Sequence, residues 1–84
     1  MEITIKTESG IHARPASQIV NTSQKFKSEV IFIKDGNEFN AKSIMNIMGM
    51  GLQKGDKINL KVKGEDSKKA QEEIIKIFDE INNE

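Results

Sequence analysis

The chain has 84 residues, enough for one small domain around a single core. It has no cysteine and one histidine, which excludes a disulfide framework, a thiolate metal cluster and a zinc site built from histidines. Thirteen basic residues balance thirteen acidic ones, so we expect no direct nucleic-acid partner. Without a signal-like start or an apolar stretch of bilayer length, we expect a cytoplasmic protein that does not insert into membranes.

The first quarter of the chain predicts a strand followed by a helix. Ile3 and Ile5 alternate with polar residues from position 2 to position 6, as in a half-buried strand. An apolar stripe at helical spacing then predicts a helix that opens near Pro15. The stripe consists of Ala16, Ile19, Val20 and Ser23.

The middle of the chain predicts a β-hairpin. Residues 30–33 are β-branched and aromatic, as is typical of a strand. Asp35 and Gly36 tolerate the positive φ of a tight turn, which leads into a second strand over residues 38–41.

Three further elements complete the chain. Ser43 is a preferred N-cap residue before a short helix over residues 44–48, which the glycines of residues 49–51 end. Polar and apolar residues alternate through residues 57–63, which predicts a fourth strand. From Ser67 an apolar stripe at helical spacing predicts a long amphipathic helix.

The element order β-α-β-β-α-β-α contains the split βαβ arrangement, in which helices cover one face of a mainly antiparallel sheet. The predicted class is therefore α+β. Because there is no internal repeat, linker or low-complexity segment, we expect a single domain over residues 1–84.

The chain's single histidine, arginine and proline all fall within residues 12–15. One interpretation is purely structural: Pro15 suits the first turn of a helix, and His12 is only its cap. The other is chemical, because with His12 at the N-cap the amides of Ala13 and Arg14 lack intrahelical acceptors and lie at the positive end of the helix dipole. Such a position binds phosphate.

A neutral imidazole is a nucleophile, so His12 can accept a phosphoryl group on a ring nitrogen. The Arg14 guanidinium and the two amides would stabilise the charge on the phosphoryl oxygens. This chemistry requires no metal and no cofactor on the chain. An exposed phosphohistidine can then pass the group to a second partner.

Two segments resemble the signatures of a known family, and the resemblance covers essentially the whole chain. The segments are Gly10-Ile11-His12-Ala13-Arg14-Pro15-Ala16 and Lys42-Ser43-Ile44-Met45. The family is HPr, the phosphocarrier of the bacterial phosphoenolpyruvate-dependent sugar phosphotransferase system. The resemblance implies that enzyme I phosphorylates His12 on Nδ1 and that enzyme IIA proteins receive the group. It also implies an open-faced sandwich, with a four-stranded antiparallel sheet and three helices on one face.

Ser43 has a structural and a regulatory interpretation. As an N-cap it contributes about 1 kcal/mol relative to alanine. The resemblance adds phosphorylation by an ATP-dependent HPr serine kinase/phosphorylase, with the product acting as corepressor for a catabolite-control transcription factor. Asn46 and Gly49 depart from the second signature, which usually has glycine and often serine at these positions, so we expect a helix that is stiffer in its middle and weaker at its end.

The short helix carries more apolar residues than one inward face can hold. Ile47 and Leu52 suit the core, whereas exposed methionines adapt to several partners. The residues predicted to dock partners are Ser17, Val20, Ile44, Met45 and Met48.

The predicted function is that of a monomeric phosphoryl carrier that uses His12 and is not itself an enzyme. Two alternatives stay open. One is a regulatory paralogue that acts only as a phospho-Ser43 corepressor, which the presence of His12 disfavours. The other is an unrelated small α+β domain in which His12 is a cap at an anion-binding helix terminus.

Overall fold

The computed structural model describes residues 1–83, and in this part of the chain four strands and three helices follow one another in the predicted order. The strands are β1 (Glu2–Thr4), β2 (Glu29–Lys34), β3 (Asn37–Asn40) and β4 (Lys57–Lys63). The helices are α1 (Ala13–Gln24), α2 (Ile44–Gly49) and α3 (Ser67–Asn82). The predicted α+β open-faced sandwich is confirmed.

The sheet has the strand order β1-β4-β2-β3, and each neighbouring pair is antiparallel. Along β4, Ile58 and Leu60 are buried, whereas Asn59 and Lys61 are exposed. This alternation arises because the helices pack on one face of the sheet and leave the other face to solvent.

The turn between β2 and β3 has the conformation that its residues predict. Asp35 has φ +52° and Gly36 has φ +81°, so both central residues adopt positive φ. This pattern matches the strand twist in two-residue hairpins, which explains why Asp-Gly is so strong a turn signal.

Several predicted boundaries shift by one or two residues. The strand predicted through position 6 ends at Thr4, because Ile5 bonds to a loop: its N–H donates to Asp56 O at 2.8 Å and its carbonyl accepts from Gly55 N at 2.7 Å. Strand β3 covers Asn37–Asn40 rather than residues 38–41. Helix α1 begins at Ala13, two residues before the predicted start at Pro15.

The core lies between the sheet and the helices. Phe32 of β2 and Phe78 of α3 meet edge to face, with ring centroids 5.5 Å apart, an arrangement that aromatic pairs favour. Both side chains are fully buried, as are Ile19 of α1 and Ile47 of α2. The core therefore fixes all three helices on the sheet, and with them the N-terminus of α1.

Asn82 ties the end of α3 to the edge strand β1. Its Nδ2 donates to Thr4 O at 3.0 Å, and its Oδ1 accepts from Lys6 N at 2.9 Å. The side-chain amide thus pairs with strand-edge groups that would otherwise be left to water or to another strand.

Among residues 1–83, none of the helices combines the length and the apolar character that crossing a bilayer requires.

The carboxylate of Asp66, at the start of α3, holds the loop that leads into β2. It accepts hydrogen bonds from Lys27 N at 2.9 Å, from Ser28 N at 2.9 Å and from the Ser28 hydroxyl. The Ser28 hydroxyl and the Lys27 and Ser28 amides keep the pKa of this carboxyl below its ordinary value, although desolvation opposes the shift.

We expect this carboxylate to make folding stability pH-dependent. A lowered pKa in the folded state means that the stabilisation is complete above the unfolded pKa, about 3.9, and is lost as the pH falls further through the folded pKa. Asp66→Asn should therefore lower Tm at pH 7. Between pH 5 and pH 2.5, the Tm of this variant should fall by less than the Tm of the wild type. Thermal unfolding monitored by circular dichroism measures both effects. Asp79→Asn, at an exposed carboxylate of the same helix, is the control and should follow the wild type; parallel Tm curves for all three proteins would refute the assignment.

Candidate functional site

His12 is the N-cap residue of α1. Its backbone is extended, with φ −93° and ψ −165°, and its carbonyl accepts the first intrahelical bond, from Ala16 N at 3.0 Å. Within residues 1–83 the imidazole makes no capping hydrogen bond to the helix, and His12 is exposed. The ring therefore does not act as the side-chain cap of the helix, which is the role that the structural interpretation gave it.

Two backbone N–H groups lie between His12 and the start of regular helical hydrogen bonding. They belong to Ala13 and Arg14, both at exposed positions, while Pro15 has no N–H to place. Because the first intrahelical donor is Ala16, these two amides lie at the positive end of α1 beside the imidazole. The structure thus brings together the four residues that the sequence singled out.

A glycine controls how the chain enters this site. Gly10 has φ +66°, and a Cβ placed there would lie 2.5 Å from the carbonyl oxygen of Leu52. The next residue, Ile11, is buried and donates its N–H to that same oxygen at 3.0 Å. The backbone directly before His12 is thereby held against the loop that follows α2.

Ser43 is the N-cap residue of α2 and is half-buried. Its hydroxyl oxygen accepts from Asn46 N at 3.2 Å and from Asn46 Nδ2 at 3.1 Å. The other end of the Asn46 carboxamide, Oδ1, accepts from Asn40 N at 3.1 Å. The predicted N-cap is confirmed, and a side-chain contact from Asn46 that the sequence pattern did not predict is added to it.

The segment before Ser43 is attached to the C-terminal end of α1. Lys42 Nζ donates to Phe26 O at 2.7 Å, and Gln24 Nε2 donates to Lys42 O at 3.1 Å. Helices α1 and α2 also pack against each other. The elements that carry His12 and Ser43 are therefore joined directly.

Three apolar side chains of α2 face solvent: Ile44 is 41% exposed, Met45 80% and Met48 44%. Ile47 and Leu52, which the sequence placed in the core, are buried. The three exposed side chains are among those that the sequence predicts to dock partners, and that role stays a prediction.

The two docking candidates on α1 differ in exposure. Ser17 is exposed, whereas Val20 is 6% exposed and belongs to the core. The expectation that Val20 contributes to the surface is wrong, because it follows Ala16 by four residues and so lies on the same buried stripe of the helix.

Among residues 1–83, no three histidine, cysteine or acidic side chains are grouped so that they could hold a metal ion.

Comparison with known proteins decides the family. The family model PTS-HPr, described as "PTS HPr component phosphorylation site", matches residues 1–80. The chain belongs to the HPr family. The family includes proteins named phosphocarrier protein HPr, and their fold is the one described above.

Individual HPr relatives match along nearly the whole chain. The phosphocarrier protein HPr of Buchnera aphidicola from Acyrthosiphon pisum is 41% identical over 80 residues, which are 95% of this chain and 94% of that protein. The crystal structure of HPr from Thermoanaerobacter tengcongensis superposes with a TM-score of 0.93 at 37% identity, covering 100% of this chain and 94% of that one.

A regulatory relative has the same fold. The catabolite repression protein Crh of Bacillus subtilis, in a crystal structure described as a domain-swapped dimer, has a TM-score of 0.78 and 34% identity. The match covers 94% of this chain and 91% of the Crh chain. Similarity in fold therefore does not by itself separate a carrier from a regulator, and the residues of the site must do so.

Proposed function

We propose that this HPr-family protein carries a phosphoryl group on His12, receiving it from enzyme I and passing it to enzyme IIA proteins. The observation that carries the proposal is the exposed His12 at the N-cap of α1, next to two amides that precede the first intrahelical bond. Residues 1–84 act as one domain in this role, as a cytoplasmic monomer that cycles between a free and a phosphorylated histidine rather than as an enzyme.

Each transfer exchanges one bond to phosphorus for another. His12 Nδ1 attacks the phosphorus held by the phosphorylated donor, a P–N bond to His12 forms, and the donor's bond to phosphorus breaks with its electron pair. The amides of Ala13 and Arg14 and the Arg14 guanidinium stabilise the phosphoryl oxygens, for which phosphoryl transfer needs mainly position and charge. In the onward transfer a nucleophile of the enzyme IIA protein forms a bond to the phosphorus, and the P–N bond to His12 breaks with its electron pair left on Nδ1. This restores the free imidazole, without a metal or cofactor held by this chain.

Both partners approach across one surface, which we call the docking surface and define as Ser17, Ile44, Met45 and Met48. Its apolar side chains are exposed, and methionine adapts its shape to different partners. Helices α2 and α1 pack against each other, so a partner that covers Met45 also lies near α1.

The test is phosphorylation by enzyme I with labelled phosphoenolpyruvate and Mg²⁺. We expect one label per chain, lost in acid and retained in base, as for a phosphorus–nitrogen bond on histidine. The labelled protein should then transfer the group to an enzyme IIA protein. Absence of labelling, or a label that is stable in acid, would refute the carrier function.

A second candidate is regulation through Ser43, which the half-buried N-cap hydroxyl and the fold shared with Crh support. In this function an ATP-dependent HPr serine kinase/phosphorylase modifies Ser43, and the product binds a catabolite-control transcription factor. The label from ATP should be stable in acid and absent from Ser43→Ala. A regulator without carrier activity would accept this label and none from phosphoenolpyruvate.

We expect Met45→Glu to weaken docking without affecting the fold. Met45 is 80% exposed, so a carboxylate there is solvated in the free protein but desolvated in a complex. The KM for enzyme I should rise by about tenfold, equivalent to about 1.4 kcal/mol of lost binding, while Tm stays unchanged. Asn59→Glu adds the same charge on the open face of the sheet and should leave KM unaltered. Equal KM values for the two variants would remove Met45 from the docking surface.

A further inference from the structure

The Asn46 side chain links two parts of the chain, because its carboxamide bonds to Ser43 at one end and to Asn40 at the other. Its orientation follows from its partners. The Asn40 N–H can only donate, so the atom that it faces is Oδ1, and Nδ2 is the atom that faces Ser43. The Ser43 oxygen is therefore an acceptor in this contact.

The same oxygen accepts a second hydrogen bond, from the backbone N–H of Asn46. A serine hydroxyl has two lone pairs and one proton. With Nδ2 at 3.1 Å and the amide nitrogen at 3.2 Å, both lone pairs of Ser43 are directed at donors. Only the hydroxyl proton is left for another partner.

The two donors differ in how easily they can leave. The Asn46 N–H is part of the first turn of α2 and cannot move unless the helix start unwinds. The Nδ2 group can turn away by rotation about the side-chain bonds of Asn46. Rotation also breaks the contact to Asn40 N, but that bond is exposed and water can replace the lost acceptor.

We propose that Asn46 restrains the phosphorylation of Ser43: its side chain occupies the lone pair with which the hydroxyl attacks phosphate, and it must rotate away before the reaction. This inference deepens the proposed regulation through Ser43 and rests on it. Asn46 is a positioning residue here, since it acts through the serine.

In the phosphorylation step the Ser43 oxygen uses the lone pair that Asn46 Nδ2 has left, and with it forms a bond to the γ-phosphorus of ATP. The bond from that phosphorus to the β,γ-bridging oxygen breaks, and ADP leaves with the electron pair. The hydroxyl proton goes to a base of the kinase. The lone pair must be available at the moment of attack, so the rotation of Asn46 adds its free-energy cost to the barrier.

The experiment compares Ser43 phosphorylation in wild type and Asn46→Ala with an ATP-dependent HPr serine kinase. Alanine leaves the backbone N–H in place and favours the helix, so the N-cap bond to Ser43 is kept. Removal of one neutral hydrogen bond to the reacting oxygen should raise kcat about tenfold while KM stays constant, because the effect lies on the reacting hydroxyl and not on docking. Asn46→Gly, a second variant without the carboxamide, should also be faster than the wild type.

Controls separate this effect from altered folding and from the carrier function. Asn59→Ala, on the open face of the sheet, should react like the wild type. In Asn46→Ala the amide of Asn40 loses its acceptor, so its hydrogen exchange should accelerate. Labelling of His12 from phosphoenolpyruvate should be the same in wild type and Asn46→Ala, and its absence from both would count against the carrier function alone.

Three results would overturn the proposal. One is a kcat for Asn46→Ala equal to or below that of the wild type. Another is a change confined to KM. The third is a lack of Ser43 phosphorylation in both the wild type and Asn46→Ala, because removal of the Asn46 side chain would then not make Ser43 reactive.

Discussion

His12→Ala should abolish labelling from phosphoenolpyruvate and leave the protein folded. The imidazole is the only group of its kind in the chain, so no other side chain can replace its nucleophilic nitrogen. It is exposed and, within residues 1–83, makes no capping hydrogen bond, so its removal should change Tm little. Labelling with enzyme I and a thermal melt measure the two effects.

Two further variants make this result specific. His12→Gln keeps a polar side chain of similar length and should also remain unlabelled, because a carboxamide is not a nucleophile. Asn21→Ala, at another exposed position of α1, should be labelled at the wild-type rate. Acid-labile label on His12→Ala would show that the phosphoryl group is carried elsewhere.

Gly10→Ala should both destabilise the protein and slow phosphorylation of His12. A non-glycine residue at φ +66° costs roughly 1–2 kcal/mol, and the new Cβ would collide with the carbonyl of Leu52 that also binds Ile11 N. A loss of about 2 kcal/mol corresponds to a fall in Tm of roughly 10 °C for a domain of this size. Because the collision moves the backbone before His12, kcat for labelling should fall as well, by up to about 100-fold for a shift of about 1 Å.

Gly51→Ala is the matched control for this collision. Gly51 has φ +61°, close to that of Gly10, but a Cβ there would meet no heavy atom of the described residues within 4 Å. It should therefore show the cost of the backbone conformation alone, with labelling of His12 near the wild-type rate. If the two variants have the same Tm and the same kcat, the contact with Leu52 has no part in holding the site.

The elements best predicted from sequence are those whose pattern is local. Strand β4 and helix α3 begin where their periodicity begins, and the turn at Asp35 and Gly36 has the predicted conformation. Strand β1 is shorter than predicted because Ile5 bonds to a loop about fifty residues away, around Asp56. Its alternating pattern continues through a residue that pairs with no strand.

The same distinction, between local patterns and contacts made on folding, applies to the candidate site. His12, Arg14 and Ser43 could be selected from residue type and position at helix starts, and their roles stay predictions. Two other features could not be predicted from the sequence: the close approach of Gly10 to Leu52, and the hydrogen bonds by which Asn46 links Ser43 to Asn40. Each depends on a contact between segments that folding brings together. The departure of Asn46 from the family signature marks its position but does not indicate either of its contacts.

The position of β1 has a consequence for biosynthesis. This strand is made first, yet it pairs with β4, and its outer edge is held by Asn82. At a translation rate of roughly 5–20 residues per second, the ribosome needs several seconds to progress from β1 to the partners that receive it. During this interval the nascent chain carries an isoleucine-bearing segment whose partner strand has not yet been made.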